Sequence, residues 1–173
     1  TKNLLFIHIP KSAGTSVVNV LENSKGGQKI FSIDTHSTFN VFKKNYPDLV
    51  QDKKVFCIVR NPFCRFVSIY RFINRDFKLQ KWFGKSYLDV KSKIGTFENF
   101  INNFIFPEKV WGGNDHFTPQ TTWSNNVKHI FRLENPELIN KFFRENKIHQ
   151  DLPLTNNRET PSHTNFMYRE YYN

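Results

Sequence analysis

The chain alternates between short apolar runs and mixed segments whose apolar residues recur at helical spacing. Residues 3–9 (NLLFIHI) form a nearly continuous apolar run, which is typical of a strand covered on both faces. From Thr15 to about Leu21, valine and leucine side chains can share one helical face, and Gly26 and Gly27 follow. The pattern predicts a strand, a loop and a helix, with this strand central in a parallel sheet.

Two later apolar runs repeat this arrangement. Residues 54–59 (KVFCIV) and 127–133 (VKHIFRL) have the composition of strands, and each precedes an asparagine followed by a proline. Asparagine favours the N-cap and proline the first helical position, so helices are predicted to begin at Pro62 and Pro136, the latter running to about residue 145. Residues 29–33 (KIFSI) predict a weaker strand between the first helix and these runs.

The other segments carry weaker patterns. Residues 76–95 are rich in lysine and predict an irregular surface excursion, whereas Thr96 can cap a helix through about Phe104. Residues 106–123 are dense in proline, glycine and asparagine, which favours a loop. The tail beyond residue 151 is predicted to be largely irregular.

Strands that alternate with helices predict an α/β fold, with a central parallel sheet flanked by helices and right-handed crossovers. A length of 173 residues with 38% hydrophobic residues suits one core, so a single domain over residues 1–173 is expected. Ligands of such sheets bind beyond the carboxyl ends of the strands.

The composition of the chain indicates which kinds of ligand the protein binds. The net charge of +10 and the pI of about 9.7 predict an anionic partner: a phosphorylated cofactor, an acidic glycan, a nucleic acid or a membrane surface. Cys57 and Cys64 are too few for a disulfide framework or a zinc site, so we expect reduced thiols and no metal. No apolar run approaches the roughly 18 residues of a membrane span, and any membrane anchor is expected outside these residues.

The residues after the first strand (IPKSAGTS) suggest a cradle for an anion at a helix start. Lys11 supplies an ammonium group, and the backbone amides and hydroxyls of the next five residues can surround a phosphate. These residues are Ser12, Ala13, Gly14, Thr15 and Ser16. The spacing is not that of a Walker loop. The alternative is an ordinary turn in which Thr15 or Ser16 only caps the helix.

The segment RNPFCRFVSIYR suggests a second phosphate contact. Arg60 ends a predicted strand, and Ser68 lies two turns into the next helix, with Arg65 and Arg71 nearby. The alternative makes Arg60 a surface ion-pair residue and Ser68 a neutral helix position. A nucleotide with phosphates at both ends of its ribose would use both contacts, as 3′-phosphoadenosine 5′-phosphosulfate (PAPS) does.

Together these motifs resemble those of a known family, the carbohydrate sulfotransferases. IPKSAGTS resembles its 5′-phosphosulfate loop and RNPFCRFVSIYR its 3′-phosphate motif, while HFTPQ, FRLENPE and YREYY resemble three later stretches. The resemblance implies a P-loop-like fold and metal-free transfer of a sulfuryl group from PAPS to a hydroxyl of a glycan, with no nucleic acid as partner. The chain is shorter than most relatives, and Phe117 stands where tryptophan is usual.

The resemblance also implies roles for individual residues. The 5′ end of PAPS would be held by Lys11, Gly14, Thr15 and Ser16, and the 3′-phosphate by Arg60 and Ser68. In the HFTPQ loop, His116 or Gln120 could contact the acceptor or order the loop. His36 matches the position of a catalytic histidine, and the alternative is a solvated or hydrogen-bonded loop side chain. His8 is the next candidate, but it lies in the first strand and is interpreted as a structural residue. An unperturbed histidine pKa of about 6.5 suits a general base, and Lys11 would stabilise the leaving phosphate.

Two other functions are consistent with parts of the pattern. A nucleotide-dependent phosphotransferase could use the Lys11 loop, but it would need Mg²⁺ and a carboxylate after a strand, where Arg60 stands instead. A non-catalytic polyanion-binding domain would explain the charge but not the ordered motifs. The absence of glycosylation acceptors favours a bacterial or cytoplasmic setting, whereas the resemblance favours the Golgi lumen.

Overall fold

A computed structural model of the chain describes residues 4–24, 37–75, 94–102 and 116–153. The elements in chain order are β1 (Leu4–Ile7), α1 (Gly14–Asn23), α2 (Phe39–Asn45), α3 (Pro47–Val50), β2 (Lys54–Val59), α4 (Pro62–Arg75), α5 (Phe97–Phe100), α6 (Gln120–Ser124), β3 (His129–Arg132) and α7 (Pro136–Glu145).

The described strands form one parallel sheet in the order β1-β2-β3. In its register, Phe6 lies beside Phe56, and Phe56 beside His129. Parallel strands need crossover connections, which here carry helices, so the predicted α/β fold is confirmed. β2 lies between its two neighbours, and a central position for β1 depends on the strand predicted over 29–33, which lies outside the described residues.

One face of the sheet packs against α1 and α7. The rings of Phe6 and Phe56 are in contact with their centroids 5.0 Å apart, and the Phe56 ring lies 5.2 Å from that of Phe142 of α7. The buried residues of α1 on this side are Val17, Val20 and Leu21, the helical face that the spacing predicts. Each fully buried side chain of this size contributes about 1.5–3 kcal/mol.

The opposite face packs against α2 and α6. It buries Leu5 and Ile7 of β1 and Cys57 of β2 against Phe39 and Trp123. Because helices cover both faces, β1 is buried at every position, which explains its continuous apolar run.

The described residues fall into two compact units. The first contains the sheet and is built from residues before Pro62 and from Thr118 onward. The second contains α4 and α5, in which Val67, Ile69 and Phe100 form a separate apolar cluster. The expectation of one domain over residues 1–173 stays a prediction.

Most predicted boundaries agree with the structure to within two residues. β2, α4 and α7 begin as predicted, and the Thr96 hydroxyl accepts a hydrogen bond from the Asn99 amide at 3.2 Å as an N-cap. Asn135 precedes α7 without a side-chain cap, so its predicted capping bond is wrong.

Three described segments differ from the prediction. The loop predicted over 106–123 ends early, because α6 begins at Gln120 and buries Trp123. The sequence pattern did not reveal α2, which begins after the N-cap Thr38, or α3, which begins at Pro47. The strand over 29–33, the excursion over 76–93, residues 103–115 and the tail from residue 154 lie outside the described residues.

Candidate functional site

The loop that leaves β1 has an unusual backbone. Lys11 and Ala13 both have positive φ angles, 66° and 62°, whereas Ser12 between them does not. The Ser12 amide donates to the Ile9 carbonyl at 3.3 Å and closes the turn. A left-handed conformation costs a residue with a Cβ about 1–2 kcal/mol, and alternating conformations turn successive amides toward one concave side. Such strain is concentrated at binding sites.

Helix α1 follows directly and presents its N-terminus to the same loop. Its N-cap is Ala13, whose side chain has no acceptor for the amides of the first turn. The first intrahelical bond runs from the Val17 amide to the Ala13 carbonyl at 3.0 Å. Thr15 is exposed and Ser16 is half-buried in that turn. The helix dipole and the first-turn amides therefore favour an anion here.

Gly14 fills a position that admits no side chain. A Cβ added there would lie 1.8 Å from Nε2 of His8, because the imidazole packs against the start of α1. The His8 ring in turn stacks on Phe6, with centroids 5.9 Å apart. The glycine thus lets the last residues of the strand and the first turn of the helix approach closely.

The ends of β1 and β2 meet at Lys11 and Arg60. Nη1 of Arg60 donates a hydrogen bond to the Lys11 carbonyl oxygen at 3.4 Å. Both residues are half-buried. Two basic residues from neighbouring strand ends therefore lie close together, at the edge of the sheet where the sequence predicts both anion contacts.

Gln120 joins the same two strand ends through its side-chain amide. Its Oε1 accepts from the Arg60 amide at 2.8 Å and from the Ser12 hydroxyl at 3.2 Å, and its Nε2 donates to the Arg60 carbonyl at 2.7 Å. The Ser12 side chain is only 1% exposed. The Ser12 proton is therefore directed to Gln120, and the amide of Gln120 is engaged by protein groups.

Hydrogen bonds from the segment after β3 fix the backbone on either side of Arg60, at the end of β2. The Leu133 amide donates to the Val59 carbonyl at 2.8 Å, and a carboxylate oxygen of Glu134 accepts from the Asn61 amide at 2.8 Å. Charge-assisted bonds of this kind are stronger than neutral ones. Consecutive backbone groups around Arg60 thus have fixed partners.

The sequence matches the model of one protein family, described as the sulfotransferase family, over residues 1–144. The chain belongs to the sulfotransferase family. Sulfuryl transfer is accordingly its general activity, and the protein is an enzyme. Comparison with curated proteins and comparison with solved structures each return no significant match.

Two residues that the motifs single out lie in the second unit of this sulfotransferase. Ser68 is half-buried in α4. The His116 ring stacks on Phe72, with centroids 5.2 Å apart and planes 12° apart, and its carbonyl accepts from Nη2 of Arg65 at 3.0 Å. Of the groups predicted to contact ligands, the described first unit brings together the residues 11–16 loop, Arg60 and Gln120.

Arg65 is a buried cation of α4. Its side chain is 2% exposed, and burial lowers the pKa of the guanidinium to about 10. It still carries its charge at neutral pH, where it holds the His116 carbonyl. The sequence-based expectation that Arg65 belongs to the second phosphate contact stays a prediction.

His36, the predicted base of this sulfotransferase, lies outside the described residues. Among residues 4–24, 37–75, 94–102 and 116–153, no three His, Cys, Asp or Glu side chains cluster as metal ligands would. No helix in those ranges is long and apolar enough to cross a membrane.

Sequence reasoning missed two groups that shape the site. His8 was interpreted as a structural residue of the strand, without its contact to Gly14. Glu134 was part of the FRLENPE stretch but had no assigned role. Its position after a predicted strand, at the same edge of the sheet as Lys11 and Arg60, could have indicated that Glu134 contributes to the site.

Proposed function

We propose that this sulfotransferase transfers a sulfuryl group from PAPS to a hydroxyl of a carbohydrate acceptor. The contact between Arg60 and the Lys11 carbonyl, 3.4 Å long, carries the donor assignment. It supports a ligand with anionic groups at two positions, since it joins the guanidinium at the end of β2 to the backbone of the loop that precedes α1. The order of the two phosphate motifs along the chain supports the same donor.

The residues present fit such a donor. The amides of the strained loop and the first turn of α1 suit the 5′-phosphosulfate, together with Lys11 and the hydroxyls of Thr15 and Ser16. We assign the 3′-phosphate to Arg60 and Ser68 from the motif RNPFCRFVSIYR. Ser12 and Gln120 hold these groups in place rather than contacting the donor through their side chains.

When bound, PAPS supplies the sulfuryl group. A general base takes the proton of the acceptor hydroxyl as its oxygen forms a bond to sulfur, and the bond from sulfur to the 5′-phosphate oxygen breaks. Lys11 and the loop amides stabilise the negative charge that grows on that phosphate oxygen, which lowers the barrier because the interaction strengthens in the transition state. Adenosine 3′,5′-bisphosphate is the product. We propose His36 as the base on its motif position alone.

The acceptor is proposed to be a glycan, and an acidic one would suit the net charge of +10. His116 is the proposed acceptor contact, since an imidazole can donate to or accept from a sugar hydroxyl. Gln120 was expected either to share that role or to order the loop, and its bonds to Ser12 and Arg60 favour the second role.

A transfer assay tests the proposal. Purified protein is incubated with PAPS labelled in the sulfate and a panel of neutral and acidic glycans, and labelled product is counted. Lys11→Ala and His36→Ala should lose at least about 100-fold in turnover, which is the usual size of an electrostatic or general-base contribution. Lys128→Ala and His149→Ala change the same residue types at exposed positions and should retain turnover.

The outcomes separate the parts of the proposal. Full turnover in His36→Ala removes that residue as the base, and no transfer to any glycan removes the carbohydrate acceptor. Thermal shifts separate the donor from the other ligand classes: adenosine 3′,5′-bisphosphate should stabilise the protein without metal. Stabilisation only by ATP with Mg²⁺, or only by heparin, would contradict the PAPS assignment.

A further inference from the structure

Gln120 lies where two segments distant in sequence must keep a fixed spacing. Its amide contacts Ser12, in the loop after β1, and both backbone polar groups of Arg60, after β2. We infer that Gln120 is a positioning residue, which holds the phosphate loop against the Arg60 backbone and so presets the donor site. The inference rests on the proposed function for the identity of the donor.

The orientation of the Gln120 amide follows from chemistry. The Arg60 N–H can only donate and the Arg60 carbonyl can only accept, so Oε1 must face the first and Nε2 the second. A flipped amide would oppose donor to donor and acceptor to acceptor. With Oε1 fixed in this way, the Ser12 hydroxyl acts as the donor in its bond to Gln120.

This link reaches the strained part of the loop. Ser12 lies between Lys11 and Ala13, both left-handed, and a strained backbone persists only where surrounding contacts hold it. The Ser12 side chain is 1% exposed, so its bond to Gln120 is shielded from competing water. Arg60 closes the arrangement through its own bond to the Lys11 carbonyl. Loss of Gln120 is therefore expected to loosen the loop and Arg60 together.

Donor binding by Gln120→Met tests the inference, because methionine has a similar length but no amide. Isothermal titration with adenosine 3′,5′-bisphosphate is run at a temperature where circular dichroism shows each variant folded. Losing these bonds should raise Kd about tenfold or more, since each is worth on the order of a fewfold to tenfold in an equilibrium constant. Gln51→Met, an exposed position, should keep the Kd of the unchanged protein.

Two further measurements distinguish positioning from general stability. With saturating glycan, Gln120→Met should raise KM for PAPS more than it lowers kcat, whereas a purely stabilising residue would leave both unchanged in folded molecules. Ser12→Ala and Gln120→Met remove the same hydrogen bond. The increase in Kd of the double variant should therefore be smaller than the product of the increases of the two single variants. If Gln120→Met does not fold, Gln120→Glu replaces it in the test. Glutamate keeps the acceptor oxygen but cannot donate to the Arg60 carbonyl, so this variant should also bind adenosine 3′,5′-bisphosphate less tightly.

The outcomes distinguish this inference from the proposed function. If the unchanged protein does not bind adenosine 3′,5′-bisphosphate, the proposed donor is wrong. If the unchanged protein binds it and folded Gln120 variants bind equally well, only the positioning role is wrong. If the Kd of the double variant Ser12→Ala with Gln120→Met rose by the product of the two single increases, the two residues would not act through a shared bond.

Discussion

The imidazole of His8 occupies the space that a side chain at Gly14 would need, with Nε2 only 1.8 Å from the position of an added Cβ. His8 follows β1 and Gly14 begins α1, so this contact sets how closely the helix start approaches the strand end. The loop between them contains the proposed phosphate ligands. Gly14 is therefore needed for packing as well as for access of an anion to the backbone.

We expect Gly14→Ala to destabilise the protein and His8→Ala to relieve that effect. Overpacking costs about 1–3 kcal/mol, which would lower Tm by about 2–12 °C for a chain of this size. The double variant should be more stable than Gly14→Ala alone, because the clash has been removed. Differential scanning calorimetry measures all four proteins. A Tm of Gly14→Ala equal to that of the unchanged protein would contradict the contact.

Arg60→Ala should discriminate between ligands with and without a 3′-phosphate. Loss of a charge-assisted contact raises Kd by roughly 10- to 100-fold, so adenosine 3′,5′-bisphosphate should bind much less tightly. Adenosine 5′-monophosphate should lose less affinity, because for this ligand the change removes only the bond by which Arg60 supports the Lys11 carbonyl. Arg132→Ala is the matched control, since Arg132 is exposed on β3. Equal losses for both ligands would show that Arg60 does not contact the 3′-phosphate.

Glu134→Leu should destabilise the first unit more than Glu134→Gln does. The carboxylate accepts from the Asn61 amide at 2.8 Å, and leucine offers no acceptor, whereas glutamine keeps an oxygen. We expect a loss of about 1–3 kcal/mol for leucine and about 1 kcal/mol or less for glutamine. Urea unfolding measures both against Glu22→Leu, a change on the exposed face of α1. Equal unfolding free energies for the leucine and glutamine variants would argue against this bond.

Cys57 should make stability fall at alkaline pH. Burial raises the pKa of its thiol from 9.0 to about 12. The neutral thiol is favoured in the folded state, so its contribution is complete below pH 9 and is lost as pH rises toward 12. The free energy of unfolding should fall by up to about 1.4 kcal/mol per pH unit in that window relative to Cys57→Ala.

Urea unfolding at intervals from pH 7.5 to pH 11 measures this difference. Val55→Ala, another buried change in β2, should keep the slope of the unchanged protein because valine does not titrate. If the free energy of unfolding of Cys57→Ala followed the same pH dependence as that of the unchanged protein, the pKa of the thiol would not be raised by folding.

The strands and the longer helices could be predicted because their signals are local. The buried run of β2 and the Asn-Pro pair before α4 fix those boundaries without any tertiary contact. Helix α2 is short, and only Phe39 and Phe42 are buried on it, so its periodicity is weak. Helix α6 follows a proline in a loop-like composition and depends on burial of Trp123.

The site could be predicted as a set of residues but not as a network. Adjacent parallel strand ends place Lys11 and Arg60 at one edge, which the order of the strands already indicates. The bonds of Gln120 span 60 and 108 residues of sequence, and nothing local indicates that its amide faces Ser12 and Arg60 rather than a sugar. The sequence did not predict the burial of Arg65 either, because the position of Arg65 in its motif suggests a ligand contact.

Lys11 stands in a backbone conformation that glycine would adopt without strain. A glycine at this position would remove about 1 kcal/mol of strain, yet it would also remove the ammonium group beside the proposed phosphosulfate. If Lys11 has its proposed role, thermal stability would favour glycine at this position, whereas transfer would require the lysine. Selection of variants for heat resistance alone would be expected to replace this lysine and lose catalysis.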